Sequence, residues 1–571
     1  MANLLRAKSI PPTHHRPLAD PDPARQLSTS TPATRARSGK SLRNLDGSAE
    51  PSDREKDAVP ERESDPRVAW TLLSGLPSPC STIWTAATVA INVLLALFTA
   101  DMVYRGPVSY PSHDLSFARV GYVSDTSARI LVREPDSAQW PLYVSYRGAP
   151  REGDSPYDDS WKSAGQVFWL SVKTDYTFTV TIPSLRPSSR YQYAASNNHS
   201  GFLTTAPPTG EELPGTDKLT FLTSSCIKPR FPYNPLAHPL SVPGFKHLAR
   251  RLPSLQASFM LFLGDFIYVD VPRRLGFDTE TYRREYRQVY ASPDWPSVSA
   301  SLPWLHVLDD HEIANDWDAN TTAPYPAAAD PWNIYHTSIN PPPADTGASY
   351  FTFTHGPASF FLMDTRRYRS PSSAHPADSP NKTMLGAQQL STLLSFLSFR
   401  PPSGVKWKFV ITSIPFTRNW RFGDADTWAA YLHERQIILE AMWDVVLSSS
   451  GTGIVILSGD RHEFAATAFP PPKDDKWPLS ATIHEFSTGP LSMFYLPVRT
   501  YSEKEGEDEV CIKYVPDGNS KFGAVEVERE RGGQGVMRFR LFVDGEEVWS
   551  YVVTSPPALE GGSRGKDAIW G

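Results

Sequence analysis

Five stretches of the chain share one plan: an unbroken apolar run of strand length that stops at a cluster of reactive side chains. KLTFLTSSC ends on Cys226, and SFMLFLGDFIY ends on Asp265 and Tyr268. LPWLHVLDDHE ends on Asp309, Asp310, His311 and Glu312, with Asn315 close behind. SFFLMDTRRYR ends on Asp364, Arg366 and Arg369, and GIVILSGDRHE on Asp460 and His462. Apolar runs of this length bounded by turn residues suit strands buried on both faces. Such strands require a sheet covered by other layers, and helical stretches between them point to an α/β architecture. Ligand sites in these sheets gather beyond the carboxyl ends of the strands. If the five runs share a sheet, their carboxylates, imidazoles, thiol and guanidinia meet at one rim. Each run alone is weak evidence, because an Asp after Gly is commonly a turn residue. The recurrence carries the argument.

A chain of 571 residues exceeds one ordinary domain. With 56 Lys plus Arg against 62 Asp plus Glu, the net charge is −6, which disfavours a non-specific nucleic-acid surface. Proline, at 54 residues, is roughly twice its usual share and excludes a single helical bundle. Three cysteines cannot staple a disulfide scaffold, and at least one stays unpaired within a monomer.

Residues 1–66 are rich in Pro, Ser and charge and poor in aromatics, so they are expected to be a disordered tail. STIWTAATVAINVLLALFTA, Ser81 to Ala100, carries no charge and has the length of a bilayer-spanning helix, expected over 81–103. Trp84 and Tyr104 stand where interfacial aromatics belong. The alternative is a buried core helix. VAWTLLSGL, just before, is too short to span but could re-enter. More Lys and Arg precede the span than follow it, giving a single-pass protein with a cytosolic N-terminus and a lumenal or extracellular body. Sequons at Asn198, Asn320 and Asn381 agree, marking a glycoprotein. Cys80, beside the span, is a palmitoylation candidate, though an inert thiol is the simpler reading. Alternating segments over 113–207 read as a small β-sandwich of fibronectin type III-like texture, serving as a spacer or wall. The main domain is expected over 218–556.

Carboxylate, imidazole and amide ligands suit hard cations, while a thiolate or phenolate adds preference for iron or another transition metal. Asp265 is placed to bridge two ions, which together would activate water and hold both oxygens of a phosphoryl transfer. Arg366 and Arg369 have the forked donors to clamp phosphate, with surface salt bridging as the plain alternative.

SSC, GDFIY, DDHEIAN, DTRRYRS and SGDRHE, in this order over about 221–490, resemble the PhoD-like alkaline phosphatases of the metallophosphatase (calcineurin-like phosphoesterase) superfamily. The resemblance implies a four-layer αββα sandwich with metals at its rim, acting on phosphomonoesters or phosphodiesters. It implies ferric iron held by Cys226, Asp265, Tyr268 and Asp460, with calcium completing the site. Asp310, Asn315 and His462 would be further ligands or their neighbours, and His311 would face the leaving-group oxygen as a proton donor. A Cys226–Cys511 disulfide competes with the metal role in an oxidising compartment. Asp316 and Arg461 depart from the family pattern, as does the membrane span.

The rival reading is an inactive relative that uses the same rim as a scaffold at the membrane; retention of the whole set argues against decay. Tyr282, Tyr286 and Tyr290, four apart on one helix, read as packing. Glu485 in HEFSTGP is a further candidate behind the ligands. P-loop and dinucleotide patterns are absent, and the GxSxG match GGSRG at 561–565 follows SPPALE rather than an apolar strand run, which disfavours kinase, dehydrogenase and serine-hydrolase chemistry.

Overall fold

The computed structural model describes residues 68–149, 160–212, 218–447, 451–473, 476–504, 508–529 and 534–557. The tail expected over 1–66 lies outside them. Two helices come first, α1 (Val68–Ser74) and α2 (Thr82–Ser109). The Ser81 hydroxyl caps α2 by accepting from the Trp84 N–H. The helix runs unbroken past the apolar stretch, and its apolar residues from Ile91 to Ala100 are exposed. It is long and apolar enough to cross a membrane. The one notably polar residue of its apolar stretch, Asn92, donates its amide to the Gly75 carbonyl at 2.9 Å, while the Ser78 N–H reaches Thr85 Oγ1 at 3.1 Å. The segment before α2 therefore folds back along it, as the short apolar VAWTLLSGL allowed.

Seven strands follow in two sheets. One orders β1 (Phe117–Val123), β2 (Ala128–Arg133) and β5 (Thr177–Ile182); the other orders β4 (Lys162–Val167), β3 (Leu142–Gly148), β6 (Arg190–Ala195) and β7 (Ser200–Thr204). Alternate residues such as Val120, Ile130, Val144, Val180 and Tyr193 meet in one core. This unit is not a free bead. Arg119 reaches across to donate to Tyr290 Oη, the Trp304 carbonyl and the ring of His306.

The main domain is built on two larger sheets. The first orders β10 (Trp304–His306), β9 (Met260–Phe262), β8 (Lys218–Ser224), β18 (Lys521–Arg529), β19 (Gly535–Val543) and β20 (Glu546–Thr554). The second orders β11 (Phe351–His355), β12 (Ala358–Leu362), β13 (Trp407–Ile411), β14 (Gly453–Ser458), β16 (Ile483–Ser487), β15 (Phe464–Phe469) and β17 (Val510–Val515). Strand alternation explains the layering. Phe221, Leu261, Leu305 and Phe539 face Phe360, Phe409, Val455 and Phe486 between the sheets. Their neighbours Leu222, Met260 and Trp304 pack under helices α3 (Pro243–Leu255) and α4 (Thr279–Tyr290). Phe361, Val410 and Ile454 pack under Leu393 and Leu397 of one outer helix (Gly386–Ser398) and Ile438 and Met442 of another (Leu432–Leu447). Helix, sheet, sheet and helix thus stack in turn. Tyr282, Tyr286 and Tyr290 are buried in the α4 side of this core.

The sheets position the site by register. Strands β8, β9 and β10 are parallel, with Ser224 opposite Phe262 and Phe262 opposite His306. Strands β12, β13, β14 and β16 are parallel in the second sheet. Residues just past each strand therefore emerge at the same level along one rim.

Candidate functional site

The chain turns sharply where it leaves three of these strands. Cys226, Asp265 and Asp460 all adopt left-handed backbone conformations, with φ of 59°, 58° and 69°. Non-glycine residues rarely do so, and the cost is borne where the surroundings over-determine it. Glycine makes room beside them. A Cβ on Gly264 would stand 2.3 Å from the Asp309 Cβ, and its φ is +99°.

Two chemically different donors, a phenol and a thiol, converge on Asp265. Its Oδ2 accepts from Tyr268 Oη at 2.8 Å and from Cys226 Sγ at 3.4 Å. Tyr268 Oη also lies 3.0 Å from His462 Nε2. Asp265 Oδ1 is buried with no protein partner. Ligand atoms of Asp265, Asp309, Asp310 and Asp460 lie within 4.8 Å of one another, as do those of Asp265, Asp310 and His311. A further group joins Asp310 to Asp316 and Asp426. Asp309 Oδ2 and Asp310 Oδ1 are likewise buried without a hydrogen bond, the latter 3.6 Å from Arg366. Burying unpaired carboxylate oxygens is costly, and like-charge crowding adds to it. Burial, with neighbouring carboxylates adding, pushes the Asp265 and Asp309 carboxyls well above their usual range. Asp460 is pushed to about 6, by burial first, against the pull of Arg461. An acidic pocket with three oxygens that no hydrogen bond satisfies fits bound cations, and the adjoining thiol, phenol and imidazole fit one softer than calcium.

His311 has a fixed orientation. Its Nδ1 is 2.7 Å from Asp270 Oδ1, and its ring lies against Tyr268 with centroids 4.1 Å apart. Burial disfavours the charged ring, yet Asp310, Asp265 and Asp270 together hold its pKa well above the ordinary value. His462 is held the other way: burial first, then nearby cationic groups, lower it to about 3, which keeps the ring neutral.

Glu312 is the clasp beneath the rim. One carboxylate accepts from the N–H groups of Asp265 at 3.1 Å, Phe266 at 2.6 Å and Asp309 at 2.8 Å. A glutamine cannot accept on its amide nitrogen. Glu312→Gln should therefore lower stability by about 1–3 kcal/mol, seen as a lower urea midpoint at unchanged slope. An unchanged midpoint would show that the clasp is idle. Glu485 does the same for the second sheet, accepting from the Phe416 and Thr417 N–H groups and Ser458 Oγ.

Several expected residues take other positions. Arg366 is fully buried, with Nε on Asp309 at 2.6 Å and both terminal nitrogens on Asp426 at 2.6 and 2.9 Å. Its fork is filled by carboxylates, which differs from an open phosphate clamp. Arg369, also buried, donates to the same Asp426. The guanidinium nearer the open rim belongs to Arg461, 3.2 Å from Asp460 and over the Trp420 ring. Asn315 is exposed and joins the site only through its N–H, which Asp270 accepts at 2.7 Å. Cys226 and Cys511 are both free thiols, Cys226 buried after β8 and Cys511 on β17 of the other sheet, so no disulfide links them. Asn198 and Asn381 are exposed sequons, whereas the Asn320 amide nitrogen, oriented to satisfy both its ends, donates to the Arg367 and Arg369 carbonyls. Asp270, Asp309 and Asp426 went unassigned from sequence. Asp309 stood inside a quoted motif, and Asp426 lies in the acidic loop FGDADTW with no strand before it.

Fold and site together define a class: a two-sheet α/β protein of metallophosphatase-like build with a carboxylate-rich rim. The chain belongs to the PhoD-like phosphatase family, whose profile matches residues 221–534. It is similar to alkaline phosphatase D of Bacillus subtilis (strain 168), 25% identical over 332 residues, covering 50% of this chain and 52% of that protein. The chain thus spans about half the length of this curated relative. Its fold resembles a solved structure of PhoD, with a TM-score of 0.58 and 18% identity, covering 78% of this chain and 91% of that one. It also resembles a purple acid phosphatase from yellow lupin (Lupinus luteus) seeds, with a TM-score of 0.54 and 11% identity, covering 79% and 78%.

Proposed function

We propose that this chain is a cation-dependent hydrolase of phosphate esters, carried on a membrane anchor. The observation that supports it most is the sharing of Asp265 and Asp310 between adjoining groups of ligand atoms, each with one buried oxygen that no hydrogen bond satisfies. Cys226, Asp265, Tyr268, Asp460 and His462 would hold iron; Asp265, Asp309 and Asp310 would hold the adjoining ion, calcium by family likeness. Bound cations would supply Lewis-acid activation of water and charge neutralisation on the phosphoryl oxygens.

The chain's own residues do the rest. Asp270 fixes Nδ1 of His311, leaving Nε2 to donate to the leaving oxygen. Arg461 is the guanidinium available to a substrate phosphate. Arg366 and Arg369 act by holding Asp309 and Asp426 in place rather than by touching substrate. The order of the seven small-sheet strands supports the fibronectin type III-like reading. Exposed apolar residues of α2 support the span, with the body lumenal or extracellular.

The full chain, purified in detergent, should turn over p-nitrophenyl phosphate or bis-p-nitrophenyl phosphate. Prolonged chelation should abolish this, and added iron with calcium should restore it. Undiminished turnover in a preparation shown to be metal-free would sink the reading.

A further inference from the structure

Helix α2 does not stop where its apolar stretch stops. It continues from Asp101 to Ser109 as the same helix, and these last turns are fastened to the main domain. Asp101 accepts from Tyr233 Oη at 2.9 Å and pairs with Arg230, whose Nη1 also donates to the Asp101 carbonyl at 2.9 Å. Arg105 donates to the Pro235 carbonyl at 3.2 Å, and Arg273 to Tyr104 Oη at 3.0 Å. The anchor is therefore docked on the body rather than tethered by a free linker.

Docking sets a height. Met102 and Gly106 line one crevice with Phe231 and Tyr268, the latter bonded to both Asp265 and His462. Residues 102–106 lie only about 3–9 Å along the helix beyond Ala100, at ~1.5 Å per residue. A bilayer's hydrocarbon core is about 30 Å and its full thickness about 40–45 Å, leaving roughly 5–7 Å of headgroup on each side. With Ser81–Ala100 filling the core, the crevice that Tyr268 shares with Met102 and Gly106 stands at the headgroup level, and Tyr268 carries the link from there to Asp265 and His462.

The loops around this edge are dressed accordingly. Leu236, 95% exposed, follows the Pro235 that Arg105 holds. Phe277, 65% exposed, ends the loop that carries Arg273. Leu496 and Val498 are exposed beyond Phe494, whose ring contacts those of His462 and Phe231. Single exposed apolar residues mean little, but three apolar loops gathered at the exit of an apolar helix form a surface suited to lipid.

From this geometry we infer that the active rim is pressed against the bilayer and that its substrate is a phosphoester borne by a membrane lipid. The inference rests on the hydrolase and span readings above. The test reconstitutes the full chain into phosphatidylcholine vesicles containing phosphatidic acid, as a monoester, or phosphatidylglycerol, as a diester. Wild type should hydrolyse one of these lipids. Leu236→Asp and Phe277→Asp should each cut that rate roughly tenfold, the value of one apolar side chain withdrawn from lipid, while turnover of soluble p-nitrophenyl esters stays unchanged. A benzophenone side chain placed at Phe277 should capture phosphatidylcholine on illumination. Equal lipid hydrolysis by variants and wild type, or no lipid capture, overturns the inference. Loss of soluble-ester turnover in wild type would instead indict the hydrolase reading, with lipid capture still deciding the surface. Release of the chain by alkaline carbonate would remove the span and the inference together.

Discussion

Asp265→Asn should yield a folded protein that no longer retains its cations and turns over phosphate esters at least ~100-fold more slowly. The swap keeps the size of the side chain and a donor–acceptor terminus. Asn is also among the residues that best tolerate the left-handed φ of 58° found here. Its effect is therefore on charge. Oδ2 of Asp265 faces the thiol, phenol and imidazole side, and Oδ1 is left unpaired beside Asp310 and Asp309. Burial first, then those neighbours, push its carboxyl well above the usual range. In chelator, the charge is thus a burden on the folded state, and the neutral variant should melt no lower than wild type. With iron and calcium supplied, wild type should gain stability through linkage and the variant much less. Elemental analysis and melting curves with and without chelator separate these effects. A variant that keeps full metal content and near-normal turnover would show that the site lies elsewhere.

The strand ends were legible because a strand buried on both faces must read as continuous apolar sequence, and a reactive residue at its end interrupts that text visibly. Cys226, Asp265, Asp310 and Asp460 were singled out on that signal, and the structure brings their side chains close together. Asp426 was not, since it reaches the site from a loop whose position depends on the packing of Trp428 and the helix that follows. Asp270 was missed for a related reason: two residues beyond Tyr268, it acts through His311 and Asn315 and resembles any polar turn residue in sequence. The direction of an arginine is harder still to read. Arg366 and Arg461 both follow a strand-end Asp closely, yet one turns inward to full burial and the other lies over Trp420 at the rim. Nothing in DTRR or GDRH encodes that difference; the presence of Asp309 and Asp426 within bonding distance does. The possible pairing of Cys226 with Cys511 failed because sequence gives no separation between sheets.

The inward turn of Arg366 has the largest expected effect on stability. Its fully buried guanidinium donates to Asp309 at 2.6 Å and forks onto Asp426 at 2.6 and 2.9 Å, with Asp310 3.6 Å away. Removing the guanidinium leaves three carboxylates close together with little access to water. Breaking a buried pair in this way typically costs about 3–5 kcal/mol, because the remaining charge is uncompensated. Arg366→Met should therefore lower the denaturation midpoint sharply in chelator, a large share of an ordinary domain's stability. Arg366→Lys should fall between the two, since one ammonium cannot serve Asp309 and Asp426 with separate faces of a planar fork. Arg369→Met should cost less, its bond to Asp426 being single and its Nε and Nη1 already without partners. An arginine free to grip phosphate predicts the opposite pattern: unchanged stability, a raised KM and partial rescue by Lys. Equilibrium unfolding of the three variants beside wild type separates the two accounts. If Arg366→Met melts as wild type does and loses only substrate affinity, Arg366 is the clamp after all, and another cation must balance Asp309 and Asp426.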